Sequence, residues 1–161
     1  MIKKNHLNKK GYTINKLFKH IATLGFTGYM PYAPGTFGSA LAFLTIILLD
    51  LDDIRISIIL PPLFLLGFLA SHHAEKVLGK DSGHIVIDEF CGCLAAVLFL
   101  PKDIPWLAAA FVLFRAFDIL KPPPIRKIEE IVPGGMGIML DDLLAGVYTC
   151  LCLQLWRYLS A

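Results

Sequence analysis

Apolar residues in this chain run in long blocks, and the polar positions are pushed to their ends. Five blocks stand out, at about 37–49, 54–70, 85–100, 104–120 and 138–156. They are too long and too evenly apolar for half-buried strands, so they predict helices buried on most sides. Several are nearer to about fifteen residues than to the twenty or so that cross a bilayer without tilt. Asp88–Glu89, Arg115 with Asp118, and Asp141–Asp142 punctuate block ends. Pro61–Pro62 lies inside the second block, where it should kink or split the helix. Upstream, Ile14, Leu17, Phe18, Ile21 and Leu24 recur at helical spacing, with Lys16, Lys19 and His20 between them. That pattern suits an amphipathic helix at an anionic lipid surface, and equally the ordinary first helix of a bundle.

Composition turns this pattern toward a membrane protein. Of 161 residues, 56% are hydrophobic and 17% charged, against roughly 45–50% and 25% in a soluble domain. Mean hydropathy is +0.64. Blocks of this kind exclude a disordered chain. A net charge of +2, with no basic stripe interleaved with aromatics, excludes a nucleic-acid binder. No apolar core with a small-residue cleavage site closely follows the basic N-terminus, so a cleaved signal peptide is not expected. The expectation is an all-α, compact polytopic bundle of about five short membrane helices plus an N-terminal interfacial helix. It forms one domain over 1–161, with a basic, amphipathic arm at 1–25 and the helical membrane core at 26–161.

Charge placement then sets an orientation. If the five blocks alternate across the membrane from a cytoplasmic N-terminus, the inner side receives six lysines of the arm. It also receives Lys76, Lys80, Arg115, Lys121, Arg126 and Lys127. The outer side receives only Arg55, Lys102 and Arg157. Twelve against three favours the N-in topology of a multi-pass protein in the cytoplasmic membrane. The same alternation brings four polar clusters to the inner face: 34–39, 81–89, 115–121 and 134–142. They are distant in sequence, so their convergence predicts one site facing the cytoplasm.

The clusters carry complementary chemistry. Asp88, Glu89, Asp118, Asp141 and Asp142 supply five carboxylates at membrane depth, where acids are costly. Close carboxylates repel without a cation, and a hard divalent ion such as Mg²⁺ takes oxygen ligands. Arg115, Asp118 and Lys121 follow R-x-x-D-x-x-K along nearly one helix face, and the two cations suit phosphate oxygens. Pro34-Gly35-Thr36-Phe37-Gly38-Ser39 opens a helix whose free N–H groups attract anions, with Thr36 or Ser39 as a cap and Gly38 allowing close approach. Gly134-Gly135-Met136-Gly137 similarly leads into the Asp141–Asp142 helix. Asp50, Asp52, Asp53, Glu129 and Glu130 read as wet helix ends.

Other motifs fail. Ser82-Gly83-His84 resembles the histidine phosphatase motif of haloperoxidase-like lipid phosphatases, but no later histidine exists to act as nucleophile. Asp50-Leu51-Asp52-Asp53 lacks the βαβ setting of an aspartyl phosphatase, and Cys150 and Cys152 miss the C-x5-R spacing to Arg157. Cys91, Cys93, Cys150 and Cys152 form two C-x-C pairs inside apolar runs, where they read as buried, reduced small hydrophobes rather than zinc ligands. His72–His73 reads as structural.

The four segments PGTFGS (34–39), DSGHIVIDEF (81–90), FRAFDILKPPPI (114–125) and GGMGIMLDD (134–142) together resemble the phosphatidylglycerophosphatase A family. That resemblance implies a Mg²⁺-dependent bacterial membrane phosphatase that converts phosphatidylglycerophosphate to phosphatidylglycerol and phosphate. It places the family's acidic signature on Asp81, Asp88, Glu89, Asp118, Asp141 and Asp142, and its phosphate-side residues on Thr36, Arg115 and Lys121. The expected catalytic set is Asp88, Glu89, Asp118 and Asp142, with Gly38 and Ser39 also beside the phosphate. The expected partners are an anionic phospholipid and the membrane. The competing function is a small divalent-cation or proton-coupled transporter, which would also need intramembrane acids. Its acids would sit nearer the midplane than these do. A non-catalytic lipid-binding scaffold would leave the clustered acids unexplained.

Overall fold

The computed structural model describes residues 9–80 and 82–160, and all regular structure among them is helical. The helices are α1 (Lys9–Ala22), α2 (Pro34–Leu48), α3 (Asp53–Leu78), α4 (Ile87–Ala96), α5 (Ile104–Leu120), α6 (Ile125–Ile131) and α7 (Gly135–Ser160), with a 3₁₀ turn at Thr27–Tyr29. Local chemistry sets their ends. Asp52 accepts the Arg55 N–H at 2.8 Å and Asp103 accepts that of Trp106, capping α3 and α5. Pro34 starts α2, where its missing N–H removes a donor that would have no partner. Gly79 closes α3 at φ +96°, and Lys121 closes α5 in the left-handed region before three prolines.

α4 is the centre of the bundle. Eight of its ten residues are buried, and it packs against α7, α2, α3, α5 and α1. At about 15 Å it is far too short to cross a bilayer. Its apolar residues are spent on protein contacts: Cys93, Leu94 and Ala96, with Val97 just past its end, join the larger core, and Ile87 and Cys91 join the smaller one with Ala70, Ala74 and Met139. The five predicted blocks all hold helices, but five membrane crossings do not follow. Among the described helices, only α3 and α7 are long and apolar enough to span a membrane. An apolar run has the same composition whether protein or lipid covers it, which is why α4 read as a crossing.

Two further expectations change. α3 runs unbroken through Pro61 and Pro62, both exposed on its outer face. The hydrogen bonds they delete lie on that face, while Ile56 and Gly67 hold the helix to the bundle on either side. Cys91, Cys93 and Cys150 are buried free thiols as expected, but Cys152 is exposed on α7 among Leu151 and Leu155. α1 packs as the first helix of the bundle. Phe18 stacks on His73 of α3 at 4.7 Å and Asn15 Oδ1 lies 2.9 Å from His73 Nδ1, while Ile14 and Leu17 stay exposed.

The long helices alternate in direction, so the bundle has two poles. One gathers the starts of α2, α4 and α7 with the ends of α3 and α5. At the other, Lys102 Nζ donates to Asp53 Oδ1 (2.6 Å) and to the carbonyls of Val97 and Leu100 (2.8 Å each). Between the poles the outer surface is apolar, with Leu44, Ile58, Leu66, Val112, Leu151 and Leu155 all exposed. Exposure on this scale marks a surface meant for an apolar partner or a membrane.

Candidate active site

Three helix ends meet at the first pole. The first turn of α4 carries Asp88 and Glu89, the last two turns of α5 carry Arg115 and Asp118 ahead of Lys121, and the second turn of α7 carries Asp141 and Asp142. The start of α4 is fixed by the Val86 N–H, which donates to the Ala22 carbonyl at 2.9 Å. α4 and α7 approach closely because both are small at the seam: a Cβ at Gly146 would lie 2.2 Å from the Gly92 carbonyl oxygen. That seam holds the acids of the two helices together.

One carboxylate oxygen each of Asp88, Glu89 and Asp142 lie within 4.8 Å of one another. Asp88 Oδ1, Glu89 Oε2 and Asp142 Oδ2 are buried without a hydrogen-bond partner. Burial first, then the neighbouring Glu89 and Asp142 charges, push the Asp88 carboxyl well above the usual carboxylate range. An all-oxygen donor set with orphaned buried atoms fits a hard divalent cation, which would replace the missing partners and relieve the repulsion.

Asp118 and Asp141 stand beside this triad, each facing a cation. Arg115 Nη1 lies 2.6 Å from Asp118 Oδ2 and 3.9 Å from Glu89 Oε1. Both contacts are ion pairs, and Arg115 Nε is buried without a hydrogen-bond partner. Lys121 Nζ lies 2.5 Å from Asp141 Oδ2, while Asp141 Oδ1 accepts the Asp142 N–H at 3.0 Å. A cavity of about 250 Å³ opens among these groups, lined by Asp88, Glu89, Asp118, Lys121, Asp141 and Asp142. Lys80, Ser82, Gly83 and Gly137 complete its polar rim. Acids outnumber bases here, so an anionic substrate needs a bound cation to be accepted.

The predicted residues divide accordingly. Asp88, Glu89, Asp118, Lys121, Asp141 and Asp142 share the cavity, and Arg115 touches two of them. Asp81 lies outside the described residues. Thr36 is half-buried at the start of α2 and does not line the cavity. Ser39 is fully buried and donates to the Gly35 carbonyl at 2.9 Å, while Gly38 backs onto Val86. Sequence reasoning passed over Gly35. A Cβ there would lie 2.1 Å from Glu89 Oε1, so a larger residue at the start of α2 would push the carboxylate aside. Its place after the proline that opens α2 was the available signal. Lys80 and Ser82 were also missed as lining residues. His84 instead ties loops together, with Nδ1 2.7 Å from the Gly28 carbonyl and its ring stacked on Tyr29.

Comparison with known proteins gives a consistent result. The family profile described as "PgpA: Phosphatidylglycerophosphatase A" matches residues 20–157. A Haemophilus influenzae protein named phosphatidylglycerophosphatase A is 42% identical over 145 residues, covering 85% of this chain and 89% of its own length. The Escherichia coli protein of the same name is 40% identical over 132 residues, covering 80% of this chain and 77% of its own. A Bacteroides thetaiotaomicron protein, provisionally named a phosphatidylinositol-3-phosphatase, is 36% identical over 148 residues, covering 82% and 88%. No solved structure matches the chain.

Proposed function

Because the chain belongs to the phosphatidylglycerophosphatase A family, we propose that it hydrolyses the terminal phosphate monoester of phosphatidylglycerophosphate, using Mg²⁺. The products are phosphatidylglycerol and inorganic phosphate. The observation that carries this reading is the buried Asp88–Glu89–Asp142 group, with its orphaned oxygens, lining one cavity with Lys121 and lying beside Arg115. A transporter needs a path through the membrane, whereas these acids sit at one pole of the bundle.

Asp88, Glu89 and Asp142 would hold the metal, with Asp141 beside them, and the sequence motif adds Asp81 as a further candidate. When bound, Mg²⁺ supplies Lewis-acid stabilisation of charge on the phosphoryl oxygens. Arg115, whose Nε has no hydrogen-bond partner, and Lys121, which lines the cavity, offset charge on those oxygens. Asp118 is outside the triad but beside Asp142, and it orients the attacking water. The N–H groups at the start of α2, over Thr36, Gly38 and Ser39, add positive potential on the Glu89 side. Two helices long enough to span, an apolar girdle and the basic excess that alternation of the apolar blocks assigns to the inner side support a multi-pass protein of the bacterial cytoplasmic membrane with the site facing the cytoplasm.

The test is phosphate release from phosphatidylglycerophosphate by the purified protein in detergent, with EDTA and with Mg²⁺ restored. The expected result is release that EDTA abolishes and Mg²⁺ recovers. Folded protein that releases no phosphate under any metal condition overturns the proposal. Phosphatidylinositol 3-phosphate belongs in the same assay, because one relative is named for that monoester. Faster turnover of it would reassign the headgroup.

A further inference from the structure

We propose that the apolar groove between α2 and α5 receives an acyl chain of the lipid substrate, an inference that rests on the phosphatase reading above. The groove encloses about 410 Å³. Phe43, Leu107 and Phe111 form its floor, with the rings of Phe43 and Phe111 edge to face at 5.6 Å. Its width comes from Ala40 and Ala108, whose methyl groups leave the two helices in only sparse contact.

The occupant follows from where the groove leads. Thr36 stands one turn before Ala40 on the same face of α2, and Arg115 stands one turn after Phe111 on the same face of α5. One end therefore reaches the arginine that contacts Glu89 and Asp118. The other ends near Ile47 and Ile104, toward the opposite pole. From Thr36 to Ile47 the path is roughly 16 Å at the helical rise, about the depth of one leaflet of a roughly 30 Å hydrocarbon core. Its lining side chains offer no polar group that would recognise a peptide. A phosphate at the cavity with a chain in this groove matches a membrane phospholipid monoester end to end.

The experiment compares kcat/KM for dipalmitoyl and dihexanoyl phosphatidylglycerophosphate in the same detergent. Ala108→Trp, and the milder Ala40→Leu, fill the groove and should lower the long-to-short ratio about tenfold, the low end of what a methylene-sized misfit costs in an apolar pocket. Ala109→Trp, one position around α5 on an exposed face outside the groove, should leave the ratio as in the parent. On the unmodified protein, a substrate carrying a photoreactive diazirine at its chain end should label residues 40–47 and 104–112. An unchanged ratio in both groove variants, or labelling confined to other helices, overturns the inference. If the parent releases phosphate from neither lipid, the phosphatase reading fails, and the labelling map still judges the groove.

Discussion

Replacing Gly146 with alanine tests whether the α4–α7 seam sets the spacing of the acids. The new Cβ would stand 2.2 Å from the Gly92 carbonyl oxygen, whereas ordinary contact begins at 3.4 Å, so the helices must separate by 1.2 Å (3.4 minus 2.2). The obstacle is backbone, which no rotamer change can clear. Gly146 lies one turn beyond Asp142, and Gly92 one turn beyond Asp88, so the displacement falls beside the triad. Overpacking of this kind costs about 1–3 kcal/mol of stability. A misplacement of about 1 Å at a catalytic group costs on the order of 10²-fold in rate. The variant should therefore melt somewhat lower, lose about two decades of kcat, and need more Mg²⁺ for half-maximal activity. Phosphate release across a Mg²⁺ titration, alongside a thermal melt, reads all three. A variant with parental kcat and Mg²⁺ requirement would refute the reasoning, because the seam would then not be what positions the site.

Asp142→Asn replaces a carboxylate oxygen with an amide nitrogen and removes the negative charge offered to the metal, and should lower kcat by roughly 10²–10³-fold. Parental turnover in the phosphate-release assay would remove Asp142 from the site. At the opposite pole, Lys102→Ala breaks three bonds, to Asp53, Val97 and Leu100, and should cost about 1–3 kcal/mol. Its thermal midpoint should fall while kcat at permissive temperature stays parental, and a selective loss of kcat would contradict the separation of the two poles.

The parts of this fold that were legible in the sequence are those where one pattern has one physical solution. The α5 block at 104–120 matches its helix, because Asp103 caps one end and three prolines bar the other. Convergence of Asp88, Glu89, Asp118 and Asp142 followed from alternating the helices, which needs only their order. The rotation of each helix was not legible, and rotation decides which acids form the triad and which face Arg115 or Lys121. For the same reason the start of α2 was read as Thr36, Gly38 and Ser39, whereas Gly35 meets Glu89. The short α6 (Ile125–Ile131) escaped notice because seven residues carry too little periodicity.

Lys121 closes α5 at φ +44° and places its ammonium against Asp141. A left-handed backbone costs an ordinary side chain about 1–2 kcal/mol that glycine avoids. Position 121 is thus a place where folding and chemistry have opposed preferences. Glycine there would relieve the backbone and strip the cavity of a cation. Screens that reward thermostability alone would drift toward that exchange, and an engineered, more robust version of this protein has to hold residue 121 fixed.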